Sequence, residues 1–167
     1  MKTARRWTLG ALVGTAALVG LAACGGDSGN ESASGQPCVK AKGLPKQAPS
    51  IDIRKGRPLD ILMYRDIAPG DGASVGPEST VTVEYIGVAC STGKVFATSY
   101  VRSEPATYQM NGVIPGWREG LEGMRVGGRR LLSVPPRLAY GDKGLEPDIA
   151  PGETLWFVVD LMEVQNP

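Results

Sequence analysis

Apolar and polar residues alternate through Thr80-Val81-Thr82-Val83-Glu84-Tyr85-Ile86-Gly87-Val88, which places Val81, Val83 and Tyr85 on one side of a strand and Thr80, Thr82 and Glu84 on the other. A strand-like run over residues 59–67 precedes it and stops at Pro69-Gly70-Asp71-Gly72, a strong turn signal. Lys94-Val95-Phe96-Ala97 follows the Thr92-Gly93 turn, and a further short strand is expected near Thr107-Tyr108-Gln109-Met110. Residues 129–134 regain strand character before Pro135-Pro136 halts them, and residues 155–164 put Leu155, Phe157, Val159 and Leu161 on one face.

The chain departs from this pattern once, at Val113-Ile114-Pro115-Gly116-Trp117 running into Arg118-Glu119-Gly120-Leu121-Glu122-Gly123-Met124. The spacing predicts a turn that feeds a brief helix, broken by Val126-Gly127-Gly128. Such a helix cannot persist alone, because one costly nucleation serves only a couple of turns and Gly120 and Gly123 weaken it further. It must lie against a sheet, and Trp117 in its first turn is then placed to floor an apolar hollow. Strands, one late short helix and two more strands argue for an α+β fold with a mainly antiparallel sheet.

Composition narrows the chemistry. A length of 167 residues suits one domain with appendages. The net charge of +1 suggests no nucleic-acid partner. There is no His, which removes imidazole bases, His-metal sites and Ser/His or Cys/His nucleophile pairs, and neither a metal nor a cofactor is expected.

The first segment reads as an address. Lys2, Arg5 and Arg6 precede a short apolar run ending in Leu21-Ala22-Ala23-Cys24, the pattern of a secretory signal over residues 1–23. Leu-Ala-Ala-Cys resembles the bacterial lipobox, which implies that Cys24 becomes the acylated first residue, an anchor on the outer side of the cell membrane; an ordinary signal peptide is the alternative. Residues 24–37 are Gly/Ser-rich without large apolar groups and read as a tether. If flexible, it spans on the order of 20 Å. Residues 38–58, basic and dotted with Pro, are expected to wrap the domain of residues 59–167 without forming a long element. With Cys24 committed to lipid, Cys38 and Cys90 remain, exported to a compartment where a disulfide between them can persist; two free thiols are the alternative.

Thr82-Val83-Glu84-Tyr85-Ile86-Gly87, Gly93-Lys94-Val95-Phe96, Val113-Ile114-Pro115-Gly116-Trp117, Val126-Gly127-Gly128 and Pro135-Pro136-Arg137-Leu138-Ala139-Tyr140-Gly141 occur in that order. The set resembles the FKBP-type peptidyl-prolyl cis-trans isomerases, the macrolide-binding immunophilins, over residues 62–164. The resemblance implies a strongly bent antiparallel sheet, a half-barrel, wrapped around one short helix. It implies that Trp117 floors a pocket for a substrate proline, walled by Tyr85, Phe96 and Phe157 and lined by Val113, Ile114 and Ile149. The Ile114 N–H and the Tyr140 hydroxyl match the family's donors to ligand carbonyls. The implied partners are Pro-containing unfolded or nascent exported polypeptides, met by a monomer.

Two departures qualify the resemblance. Family members usually carry Asp directly after the pocket Phe, where this chain has Ala97, so macrolide affinity should be weakened. Ala106 stands where many members carry Phe, and Tyr108 is the candidate for the neighbouring aromatic position. Two functions therefore stand side by side: an active isomerase for exported proteins, and a non-catalytic module of the same fold that binds Pro-containing segments.

Overall fold

The computed structural model describes residues 37–54, 56–102 and 104–167; the expected signal peptide, the lipidation site Cys24 and nearly all of the tether lie outside them. Six strands form one antiparallel sheet: β1 (Met63–Ala68), β2 (Thr80–Ala89), β3 (Val95–Thr98), β4 (Ala106–Gln109), β5 (Arg129–Val134) and β6 (Leu155–Gln165), with one helix, α1 (Pro115–Leu121), between β4 and β5. The order across the sheet is β1-β5-β6-β2-β3, and β4 also pairs with β2. β2 and β6 are paired along their whole length, from Thr80↔Gln165 to Ala89↔Leu155. On the far side of β2, β4 takes the first half and β3 the second. Between them the Ser99 hydroxyl accepts the Tyr85 N–H at 2.9 Å, and the Ser99 N–H donates to the Tyr85 carbonyl at 3.0 Å. The sheet is thus an open, curved antiparallel layer around one short helix, and it does not close.

Both faces are covered, and strand alternation decides which residue serves which face. Val81 and Val83 of β2, Leu132 and Val134 of β5, and Leu155, Phe157, Val159 and Leu161 of β6 pack with Trp117 and Leu121 of α1 on the concave side. The intervening residues Ile86, Val88, Leu131, Trp156 and Val158 meet Cys38, Ile51 and Ile53 on the outer side. The N-terminal strip that supplies these last three forms no strand of its own. The Cys38↔Gly56 bridge closes the strip on itself, while the Lys42↔Lys94 bridge, the Val39 N–H donating to the Cys90 carbonyl at 2.8 Å and the Cys38–Cys90 disulfide, with Cα atoms 4.4 Å apart, stitch it to the sheet. Two expected boundaries move. The strand read over residues 59–67 starts only at Met63, because residues 59–62 have no β5 partner in the register.

The second shift concerns the helix. α1 begins at Pro115, whose fixed φ and missing N–H suit the first helical position, and ends at Leu121 rather than running on to Gly127. Gly123 (φ 71°) follows in the left-handed region and turns the chain away. Gly116 is needed for another reason: a Cβ there would lie 2.2 Å from Val134 Cγ1, so only glycine lets α1 touch β5.

The C-terminal carbonyls of so short a helix need partners. Arg130 of β5 supplies them: its Nη1 donates to the Gly120 carbonyl at 2.8 Å, while Nε and Nη2 grip the Asp66 carboxylate at 2.6 and 3.1 Å. Its side chain is 7% exposed and lies 4.5 Å from the Tyr64 ring centroid. Arg130→Ala would leave helix carbonyls and a carboxylate unpaired, and a loss of about 2–4 kcal/mol is expected, below the fully buried range because Asp66 still reaches water. Arg130→Lys should recover little of it, since an ammonium cannot reproduce the planar fork. Urea unfolding of both variants measures this; a loss below about 0.5 kcal/mol, the ordinary surface level, would show that Arg130 is not the tie.

Candidate functional site

The hollow forms where α1 leaves the concave face of the sheet uncovered. β2 contributes Tyr85, β3 contributes Phe96 and Ala97, β4 contributes Tyr108 and β6 contributes Phe157. Gly112, Val113 and Ile114 lead into α1 along one rim, and Tyr140 closes the other after the turn Pro136–Leu138. The cavity measures about 230 Å³. Trp117 is 4% exposed, so the indole is embedded in the core while still forming part of the cavity wall.

The rings pack edge to face. Trp117 stands 5.2 Å from Tyr85, 5.4 Å from Phe157 and 5.6 Å from Tyr108, centroid to centroid, at angles between 81° and 90°. Phe96 meets Phe157 at 5.6 Å and 83°. T-shaped pairs place a positive ring edge on a negative ring face and fix each ring's tilt. The hollow is therefore held open by aromatic edges rather than by a polar frame. Gly87 makes the Phe96–Phe157 pair possible, since a Cβ there would lie 2.7 Å from Phe96 Cζ and 2.9 Å from Phe157 Cε1. A glycine inside an otherwise regular strand was the available signal for such a close approach.

The polar groups are few. The Tyr108 hydroxyl donates to the Tyr85 hydroxyl at 3.0 Å. Burial pushes the Tyr85 phenol well above its ordinary pKa, so Tyr85 stays neutral and keeps a proton to offer. Ile114 is the residue just before α1, and its N–H meets no acceptor among the described residues. The buried Trp117 Nε1 also lacks a partner there. Among the described residues no carboxylate lines the hollow, and Ala97 occupies the wall where the resemblance implies Asp. Among the described residues no cluster of His, Cys, Asp or Glu has the arrangement of a metal site.

Of the residues singled out in the sequence, Tyr85, Phe96, Ala97, Tyr108, Val113, Ile114, Trp117, Tyr140 and Phe157 come together around this cavity. Ile149 does not. It is 2% exposed within the concave-side core, and its backbone pairs with Leu145 (2.8 and 2.9 Å) in the loop after Gly144. Gly112 was not singled out and lies on the rim.

The site is thus an aromatic-walled hollow with a few polar groups at its edge, the usual form of a small-ligand pocket. The chain belongs to the FKBP-type peptidyl-prolyl cis-trans isomerase family, which residues 72–162 match. It is 47% identical over 121 residues to the FK506-binding protein of Streptomyces anulatus, covering 71% of this chain and 98% of that relative. The outer membrane protein MIP of Legionella longbeachae is 42% identical over 105 residues, 63% of this chain and 45% of the relative. The crystal structure of FkpA from Escherichia coli superposes with a TM-score of 0.59 at 43% identity, over 62% of this chain and 48% of FkpA.

Proposed function

We propose that the protein assists folding of exported polypeptides by seating a proline ring on Trp117 and easing the preceding amide out of planarity. The barrier, about 18–20 kcal/mol, arises from amide resonance, so no bond to a nucleophile or metal is required. A planar amide carries separated charge that water stabilises and a twisted one carries less. The ring-lined hollow therefore favours the twisted geometry. The Ile114 N–H and the Tyr140 hydroxyl donate to substrate carbonyls, each in a position to strengthen as the amide turns. Phe96 and Phe157 wall the ring, Val113 lines the approach, and Tyr108 holds Tyr85 through its hydroxyl. The observation that carries this reading is the Trp117-floored cavity between Tyr85 and Phe157.

The absence of a carboxylate from the lining favours a second reading, a binding module for Pro-containing segments with little turnover. A protease-coupled assay on a chain beginning at Gln36, run over peptides that vary the residue before proline, separates the two. Turnover above the uncatalysed rate supports the isomerase; binding at background turnover supports the module. Ala97→Asp should tighten macrolide binding by about tenfold or more, the worth of one added charge-assisted hydrogen bond. Unchanged affinity would show that residue 97 does not face the ligand.

In this reading residues 1–23 are a lipoprotein signal, Cys24 is acylated, and residues 24–37 tether the wrapping segment 38–58 and the domain of residues 59–167 outside the cell membrane. The ring of conditions this sets is simple: Cys24→Ala should move the protein from the membrane to the soluble fraction. Full retention of the variant on membranes would place the anchor elsewhere.

A further inference from the structure

Residues 38–58 carry Lys40, Lys42, Lys46, Arg54, Lys55 and Arg57 against Asp52 alone, in a chain whose whole net charge is +1. This strip covers the outer face of the sheet through Cys38, Ile51 and Ile53. Lys40, Lys42, Lys46, Arg54 and Arg57 are exposed, and none has an ion-pair partner among the described residues. The Cys38 N–H donates to the Gly56 carbonyl at 2.9 Å, so Arg54 and Arg57 flank the point at which the chain arrives from its N-terminal segment.

Apolar groups interleave with these charges. Val39, Leu59 and Ile61 are exposed large side chains. Two adjoining hollows of about 200 and 380 Å³ share Arg54, Met63, Ser133 and Trp156. Arg57 and Leu59 line the larger, and Tyr64 and Arg65 the smaller. Among the described residues Asp52, 3.9 Å from Arg65, is the one acid lining either hollow, and Asp60 lies between Leu59 and Ile61. The indole N–H of Trp156, buried at the wall common to both hollows, has no acceptor among the described residues.

A merely solvated face would carry charges of both signs and few large apolar groups. Cations interleaved with exposed Val, Leu and Ile instead match a surface that meets anionic headgroups with its charges and the acyl boundary with its apolar side chains. We propose that this outer face lies against an anionic phospholipid bilayer, with the Arg54–Arg57 hollows receiving headgroup phosphates. Tyr85 and Ile86 are consecutive and therefore point to opposite faces of the sheet, so the proline hollow then opens away from the membrane, toward arriving chains.

The test uses the unacylated chain beginning at Gln36, so its result is independent of Cys24. It is sedimented with vesicles of phosphatidylcholine alone or with about one third phosphatidylglycerol. Binding about tenfold or more stronger to the anionic vesicles is expected, lost at high salt. Lys40→Gln/Lys42→Gln/Arg54→Gln/Arg57→Gln should abolish it while near-UV circular dichroism stays native, and Arg118→Glu/Arg137→Glu, on other exposed surfaces, should not. Equal sedimentation with both vesicles, none with either, or binding unchanged in the folded quadruple variant would each overturn the proposal. No sedimentation together with binding to an acidic protein would assign the face to that class of partner instead.

Discussion

Trp117→Ala is expected to lower isomerase turnover by two to three orders of magnitude and the stability of the fold by about 3–5 kcal/mol. The two effects share one cause. The indole is simultaneously core, at 4% exposure, and floor of the cavity. Its removal deletes three edge-to-face contacts, with Tyr85, Tyr108 and Phe157, each worth roughly 0.5–1.5 kcal/mol beyond area. It also leaves a cavity beneath the site that only partial collapse could fill. Trp117→Leu separates the effects, because a branched aliphatic restores much of the volume but no aromatic face. Its stability should recover by more than half while turnover stays at least about tenfold down. Urea unfolding and the protease-coupled assay read the two quantities independently. Full turnover in a folded Trp117→Ala protein would mean that the substrate ring sits elsewhere.

Opening the Cys38–Cys90 disulfide should cost about 4 kcal/mol, because it closes a span of 52 residues and its loss returns that loop's freedom to the unfolded chain. For a folded part of this size the melting midpoint should fall on the order of 15 °C. The bridge also secures the strip that covers the outer face. Cys38 packs there with Ile51 and Ile53, and the Cys90 end is held by its own N–H donating to Thr154 O at 3.0 Å and by the Ser91 N–H donating to Glu153 Oε1 at 2.9 Å. Because the hollow lies on the opposite face, turnover well below the new midpoint should be nearly unchanged. Calorimetry with and without reductant, and Cys90→Ala under oxidising conditions, measure the shift. A midpoint that moves by less than about 3 °C would show that the strip is held by packing alone.

Much of this was written plainly in the chain. Two-residue alternation is a local property of a half-buried strand, so β2 and β6 could be read directly, down to which of Leu155, Phe157, Val159 and Leu161 face inward. Pro115 and the glycines around it mark a helix, and five ordered motifs carry the family resemblance. Helix length was less legible, because a helix this short is ended by what its last carbonyls meet. Here they meet Arg130, from a strand that follows in sequence and pairs elsewhere. Ile149 shows the opposite failure: an aliphatic residue in the right motif, placed by long-range packing in the core instead of on the cavity wall.

By itself, then, the sequence determined the strand periods, the single helix, the cysteines available for a bridge and the aromatic inventory, since each depends on neighbours a few positions apart. Only the tertiary structure decided that Tyr108 would be the hydrogen-bond partner of Tyr85, at 3.0 Å across 23 residues. It alone decided that a basic strip would roof the outer face and that Gly87 would open room for two Phe rings. Those outcomes rest on the register between strands distant in sequence. Register is set by the joint packing of both sheet faces, which no stretch of chain contains alone.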